Sequence, residues 1–541
     1  APPGYPEPAE AFFQQRLDHF DPADGRRWPQ RYLLGSDSWD GRGALPGGCR
    51  GPVLLYTGNE GPIDEFWQLT GWLVQELAPK LGALLLYPEQ RYYGKSMPFG
   101  PDSLRAENAR YLTTAQVLED IAGIVSHVKG TLDGAGSCPV VAFGGSYGGT
   151  LTALLRATHP ATVIGGLAAS SELGYYDLGG WAAHGVSQFT FEDVVLSTWR
   201  GAREGCLDAA QAALRAIDGE ANGSYVAEAF QVCEARALGE PRSTLFAYVL
   251  EGMPQGDYPS LGYPVRKACD ALVGAHRLGS GSPRELIDAA AGVARTFLGP
   301  SPCVAYDAGG PGNTPGDGPG PSAWGYQSCT ETLHAFSSRA LRSYAFDVER
   351  SSSLCAALYN ETVRPDLRAL AEEFGGGYAL AEGRAGVSHL IWSQGTLDPW
   401  HGWFQNMSSP PAGSELFHVV VEGAAHHADL RGPSAEDPPA LTAAREFEER
   451  TIRRWLLEWV PPPRDLQHDG ALAAPAAPEW PETSCQAPFL SCDAYPERAW
   501  PHMCCDGRYQ EALASMCRLP ATAPVGACVN ATAALGREVL V

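Results

Sequence analysis

The sequence predicts an α/β fold: a parallel β-sheet with helices on both faces, interrupted by a large helical insertion and followed by a cysteine-rich extension. Three observations predict it. Short apolar runs alternate with helix-like stretches through the first part of the chain. That alternation stops after Ser171 and strand signals resume only near Ser388. Six of the 14 cysteines crowd between Cys485 and Cys528, a segment poor in large apolar residues that needs staples to hold it.

The elements follow in order. Residues 52–57, 83–87, 139–143 and 163–169 are short apolar runs bounded by turn residues, the pattern of strands buried on both faces. Helix-like stretches at 64–80, 113–130 (with Thr114 as a cap) and 148–158 lie between them. Two further strands are expected at 388–393 and 416–421, then a helix near 440–459 carrying Arg445, Glu449 and Arg453 on successive turns. The predicted organisation is a first core part at 1–177, a helical cap at 178–385 and a second core part at 386–462. A Pro/Ala-rich linker at 463–484 and a stapled module at 485–541 complete it. The Gly/Pro-rich stretch 307–321 is expected to be disordered or a surface excursion.

Composition removes several function classes. Acidic residues outnumber basic ones 62 to 39, a net charge of −23 without a basic run, which argues against nucleic acid as a partner. No stretch approaches the roughly 18 apolar residues of a membrane span. No C-x-x-C pair suggests zinc, and neither metal nor cofactor is expected. The even cysteine count and the sequons at Asn222, Asn360, Asn406 and Asn530 point to an oxidising, glycosylating compartment of the secretory pathway. The chain opens at Ala1 without Met, so a leader is expected to have been removed or the chain trimmed.

The strongest chemical signal is Gly144-Gly-Ser-Tyr-Gly148, placed between a strand and a helix. Such a turn is so tight that the neighbours of the serine must be small, and it presents the Ser146 hydroxyl as a nucleophile beside a helix N-terminus. A serine needs a base and the base an orienting carboxylate; in α/β-hydrolases these follow in the order Ser, Asp, His after later strands. Asp398 follows the strand 388–393, and His426 or its neighbour His427 follows the strand 416–421. The oxyanion donors expected are the backbone N–H of Tyr147 and one from the loop after the first strand, at Gly58 or Asn59. Glu60 in that loop is a candidate buried carboxylate facing substrate, with Arg91 as its expected partner.

These residues stand within longer matching segments. They include Phe12-Phe-Gln-Gln-Arg-Leu-Asp-His-Phe20, Gln30-Arg-Tyr-Leu33, Tyr56-Thr-Gly-Asn-Glu-Gly61, Pro88-Glu-Gln-Arg-Tyr-Tyr-Gly-Lys-Ser-Met-Pro-Phe-Gly100, the GGSYGG at 144–149, Leu167-Ala-Ala-Ser170, Asp398-Pro-Trp400 and the His-His-Ala-Asp-Leu-Arg at 426–431. In these the chain resembles the prolylcarboxypeptidase and dipeptidyl peptidase II family of lysosomal and secreted serine peptidases, over most of residues 12–460. The resemblance implies an α/β-hydrolase with a helical, disulfide-bearing cap, acting on proline-containing peptides as a Pro-X carboxypeptidase or an X-Pro dipeptidyl peptidase. It implies His426 as the base, three residues before Asp429, and Trp400 as a wall of the pocket for the proline ring. Pro62 and Thr150 depart from the family pattern, where relatives often carry Asp and Met, and the tail at 485–528 has no counterpart in its animal members.

Two further expectations complete the reading. α/β-hydrolase sheets set the strand before the oxyanion loop beside the nucleophile strand, and Cys49 and Cys138 precede those two strands, so a Cys49–Cys138 disulfide is predicted. Cations at His427 and Arg431 would lower the pKa of His426 and keep it a working base near about pH 5, in a lysosome or vacuole or outside the cell. An esterase or lipase on the same fold, a prolyl endopeptidase and a non-catalytic secreted scaffold are the competing readings. A homodimer is left open.

Overall fold

The computed structural model describes residues 5–461, apart from 234–240, 278–281, 300 and 305–321. The expected excursion at 307–321, the linker, the cysteine-rich module and Asn530 therefore lie outside the described residues.

Eight strands make one sheet: β1 Ala9–Arg16, β2 Arg27–Gly35, β3 Val53–Tyr56, β4 Leu84–Pro88, β5 Val140–Gly145, β6 Gly165–Ala169, β7 Leu390–Gly395 and β8 Leu416–Val421. They lie in the order β1-β2-β4-β3-β5-β6-β7-β8. β2 is antiparallel to both β1 and β4, and every other neighbouring pair is parallel. This is an α/β-hydrolase fold, with β5 at its centre.

Side-chain alternation explains why its inner strands read as unbroken apolar runs. Val53, Leu55, Val140, Ala142, Leu390 and Trp392 face one layer, which the helices Thr114–Thr131 and Tyr147–Thr158 cover. Leu54, Tyr56, Val141, Phe143 and Ile391 face the other, beneath residues 63–81 and the helix Pro439–Glu458. With both faces dry, the period-2 signal disappears from the sequence.

Several boundaries differ from expectation for local reasons. β1 and β2 were not foreseen, because the ladder holds polar residues: buried Gln15 donates to Gln30 Oε1 (2.9 Å) and to the Asp120 carbonyl (3.0 Å). The helix expected at 64–80 ends at Leu69 and resumes as a π turn at Trp72–Leu77. At the break the Thr70 hydroxyl donates to the Phe66 carbonyl, and a Cβ at Gly71 would collide with Gly432 backbone beyond the His426 loop. Thr113, not Thr114, caps the next helix, accepting from Gln116 N–H; the Thr114 hydroxyl instead bonds Glu331.

The insertion has two parts. Helices Thr190–Ala202, Cys206–Gly219, Thr244–Gly252, Pro264–Arg277 and Pro283–Leu298 enclose their own core around Trp199, Phe246 and Leu272. The later part returns to the hydrolase core. Cys329 and Cys355 pack with Trp28 and Tyr92, and Leu370, Tyr378 and Leu380 join the main cluster. Disulfides Cys206–Cys269, Cys233–Cys303 and Cys329–Cys355 lie within the insertion. Cys49 is joined to Cys138 with Cα atoms 4.8 Å apart, across the ends of β3 and β5.

Candidate active site

Ser146 occupies the turn between β5 and the helix Tyr147–Thr158 at φ 61° and ψ −129°, a conformation non-glycine residues rarely adopt. The turn is held because its glycines leave no room for alternatives: a Cβ at Gly144 would strike the Gly148 carbonyl. A Cβ at Gly148 would strike Asn59, which places the Gly58–Asn59 loop directly against the turn. Asn59 Nδ2 donates to the Gly145 carbonyl (2.8 Å) and to Glu60 Oε2 (3.1 Å), while Tyr56 OH donates to Asn59 Oδ1 (2.5 Å). Ser146 itself is partly exposed.

Asp398 follows β7 and His426 follows β8. His426 Nδ1 lies 2.8 Å from Asp398 Oδ2, and Asp398 is fully buried. A carboxylate at that distance holds the ring proton on Nδ1 and leaves Nε2 as the basic atom. The other oxygen, Oδ1, accepts from the Trp400 N–H at 3.1 Å.

His427 points elsewhere. Its N–H donates to Ser170 Oγ (2.7 Å), and its ring packs against Gly145, where a Cβ would come within 2.7 Å of it. Burial, then Arg431 and His426, push the His427 imidazole well below the ordinary histidine range. The cation expected at His427 is thus disfavoured: burial and Arg431 both favour the neutral ring, and its buried Nδ1 has no hydrogen-bond partner among the described residues. Arg431 remains, donating to Tyr258 OH at 3.1 Å.

The expected Glu60–Arg91 pair does not form. Arg91 is fully buried against Asp120, with Nε–Oδ2 2.6 Å and Nη2–Oδ1 2.7 Å, and also donates to the Leu17 and Tyr111 carbonyls. This pair ties β4 to the helix Thr114–Thr131, a structural role. Glu60 stays at the site, its carboxyl held above the ordinary range by burial and further by Glu172.

Trp400 stands 6.4 Å, centroid to centroid, from the His426 ring. Phe191 (5.0 Å), Phe336 (5.8 Å), Tyr175 (6.0 Å) and His334 (4.8 Å) surround it, and its Nε1 donates to Gln255 Oε1 at 3.1 Å. Among the described residues no group of three His, Cys, Asp or Glu could hold a metal ion.

A family model described as serine carboxypeptidase S28 matches residues 15–448. The chain belongs to the S28 serine carboxypeptidase family. Lysosomal Pro-X carboxypeptidase of Mus musculus is 29% identical over 480 residues, covering 84% of this chain and 91% of its own. The Homo sapiens protein of that name is 29% identical over 469 residues, 83% of this chain and 88% of its own. Thymus-specific serine protease of Mus musculus is 26% identical over 479 residues, 83% and 88%. Among solved structures, proline iminopeptidase of Mycobacterium smegmatis gives a TM-score of 0.32 at 10% identity, covering 83% of this chain and 99% of its own, a distant likeness. This S28 member is a serine-type peptidase acting on peptide substrates. Its disulfides fit an oxidising compartment, and none of its described helices is long and apolar enough to cross a membrane.

Sequence reasoning missed what the insertion brings to the site of this S28 peptidase. The Gln255 carbonyl accepts from His426 N–H (3.3 Å), and Tyr258 OH donates to the His426 carbonyl. Neither residue lies in a motif. Glu172 was within reach of detection, two residues beyond the Leu-Ala-Ala-Ser match, as a carboxylate following a buried strand. Asn222, Asn360 and Asn406 are exposed.

Proposed function

We propose that this S28 peptidase is a proline-selective exopeptidase that releases the C-terminal residue from peptides ending in Pro-X. The observation that carries the reading is the 2.8 Å Asp398–His426 contact beside an aromatic wall at Trp400, on the loops next to the strained Ser146 turn. Ser146 Oγ attacks the prolyl carbonyl while His426 Nε2 takes its proton. The negative charge that develops on the carbonyl oxygen is received by the N–H of Tyr147 and one from Gly58 or Asn59. His426 then protonates the leaving amine of the C-terminal residue. Water, deprotonated by the same nitrogen, hydrolyses the prolyl ester and restores Ser146. Trp400 receives the pyrrolidine ring on its flat face, a rigid apolar match. The similarity to relatives named Pro-X carboxypeptidases supports this direction of cleavage.

In this reading the enzyme resides in the lysosome with glycans on its exposed sequons. Hydrolysis of Z-Pro-Phe and of a Lys-Pro-amide reporter, scored side by side, tests the proposal. Release of Phe from the first without turnover of the second is expected. Turnover of the second alone makes the enzyme a dipeptidyl peptidase, and an ester substrate hydrolysed in preference to both makes it an esterase.

A further inference from the structure

The cluster around Trp400 is not apolar throughout. His334 sits within it, its ring 4.8 Å from that of Trp400, 4.8 Å from Tyr176 and 4.9 Å from Phe336. His334 Nε2 lies 3.1 Å from Glu172 Oε2, and Glu172 is only 2% exposed. Beside that carboxylate the Tyr176 hydroxyl is buried, facing the Glu172 charge with no hydrogen bond of normal length among the described residues. Ser171, the neighbour of Glu172, shares a hydrogen bond with Thr150 on the nucleophile helix (3.0 Å). An acidic, incompletely satisfied end of this kind is expensive to build into a pocket whose only task is to hold a hydrocarbon ring. It suits a ligand that brings a donor, because a charged donor would satisfy the carboxylate and the orphaned hydroxyl together.

We infer that Glu172, flanked by His334 and Tyr176, is the specificity-determining end of the pocket walled by Trp400, and that it admits a basic residue, lysine or arginine, at the position preceding the scissile bond. The aliphatic stem of such a side chain would run along the Trp400 and Phe336 faces, with its ammonium or guanidinium donating to Glu172 and the Tyr176 oxygen. The reaction is the one already described; only the acyl residue changes. The inference rests on the reading that Trp400 lines the pocket for that residue.

The test compares Z-Lys-Phe, Z-norleucine-Phe and Z-Pro-Phe with the full-length enzyme. Lysine and norleucine share a stem and differ in the charged head. A kcat/KM ratio of lysine to norleucine of about ten or more is expected, the size of a charge-assisted hydrogen bond in a desolvated site. Glu172→Gln should bring that ratio close to one. The ratio within one preparation is independent of how much of the variant folds, and the wild-type ratio decides the matter alone if the variant is not recovered. Hydrolysis of Z-Pro-Phe with equal rates for lysine and norleucine overturns this inference and leaves the proline reading standing. An unchanged ratio in Glu172→Gln overturns the role of Glu172. Failure to hydrolyse any of the three overturns both readings.

Discussion

Ser146, Asp398 and His426 stand on the ends of β5, β7 and β8, whereas Gln255, Tyr258, His334 and Phe336 reach the same place from the insertion. The two regions are held by different means. β5 and β7 are buried along their whole length, and the reactive groups sit on turns that neighbouring backbone leaves no room to move. The cap encloses a smaller separate core pinned by Cys206–Cys269 and Cys233–Cys303, and it meets the site through individual side chains. Under the proposed mechanism the difference teaches a division of labour: the sheet fixes the geometry of bond making, and the insertion adjusts what is presented to it.

The largest effect should come from the sheet. Ser146→Ala is expected to lower kcat by a thousandfold or more, and His426→Gln by a similar factor, with the double variant no worse than either alone. His427→Gln should cost far less, since that ring packs on Gly145 while its backbone N–H is held by Ser170, and Asp398 bonds His426 instead. Steady-state kinetics and labelling of Ser146 by a fluorophosphonate measure both. Equal losses at His426 and His427 would erase the distinction between them.

Next should come the staple of the cap. Replacing Cys206 and Cys269 by Ala releases a loop with a sequence separation of 63, and the loss of stability is expected to be about 2–5 kcal/mol. Thermal unfolding followed by circular dichroism should show the cap melting before the sheet. A single transition at the original temperature would mean that the cap core needs no staple.

Gln255→Ala tests the contact between the regions. It removes the acceptor of Trp400 Nε1 while keeping the backbone carbonyl that receives His426 N–H. The expected result is a rise in KM of about fivefold with kcat nearly retained, the size of one lost hydrogen bond. A fall in kcat alone would place Gln255 with the chemical machinery of the sheet.

The smallest effect is a pH dependence of stability within the core. Glu448 is buried beside Asp429, and burial followed by that carboxyl raises its pKa well above the ordinary value; Asp429 is raised by burial too. Groups with a raised folded pKa lend stability that is complete below about pH 4.5 and is lost as pH rises through the folded value. Partly exposed carboxylates held down to about 2, such as Glu382 beside His184 and Arg384, act in the opposite direction, losing stability as pH falls. Glu448→Gln separates the two: it should raise Tm at pH 7.5 by on the order of 2 °C relative to wild type and leave Tm at pH 4.5 little changed. A shift of the same size at both pH values would show that proton uptake by Glu448 is not involved.

How much of this was legible in the sequence follows the same division. The strands β3 to β7 and the Ser146 turn could be read because burial on both faces and steric exclusion leave few residue choices, and those choices are local; β8, an edge strand with Val420 exposed, was legible from its apolar run alone. β1 and β2 could not, because Gln15 and Gln30 satisfy each other only once the chain has folded. The pairing of Arg91 with Asp120 was hidden for the same reason: the sequence separates them by 29 residues and offers Glu60 as an equally plausible carboxylate. The contributions of Gln255, Tyr258 and His334 depend on where a long insertion returns to the sheet, and no spacing rule carries that information.

The central claim is that Ser146 transfers the acyl group of a proline whose neighbour is the free C-terminal residue. Its most direct test is mass spectrometry of a short peptide ending in Pro-Phe, offered with a free carboxylate and as the C-terminal amide, to the wild type and to Ser146→Ala. The account predicts loss of a single Phe from the free acid by the wild type, slow or no cleavage of the amide, and no cleavage by the variant. Removal of an N-terminal dipeptide instead, or cleavage that survives Ser146→Ala, would contradict it.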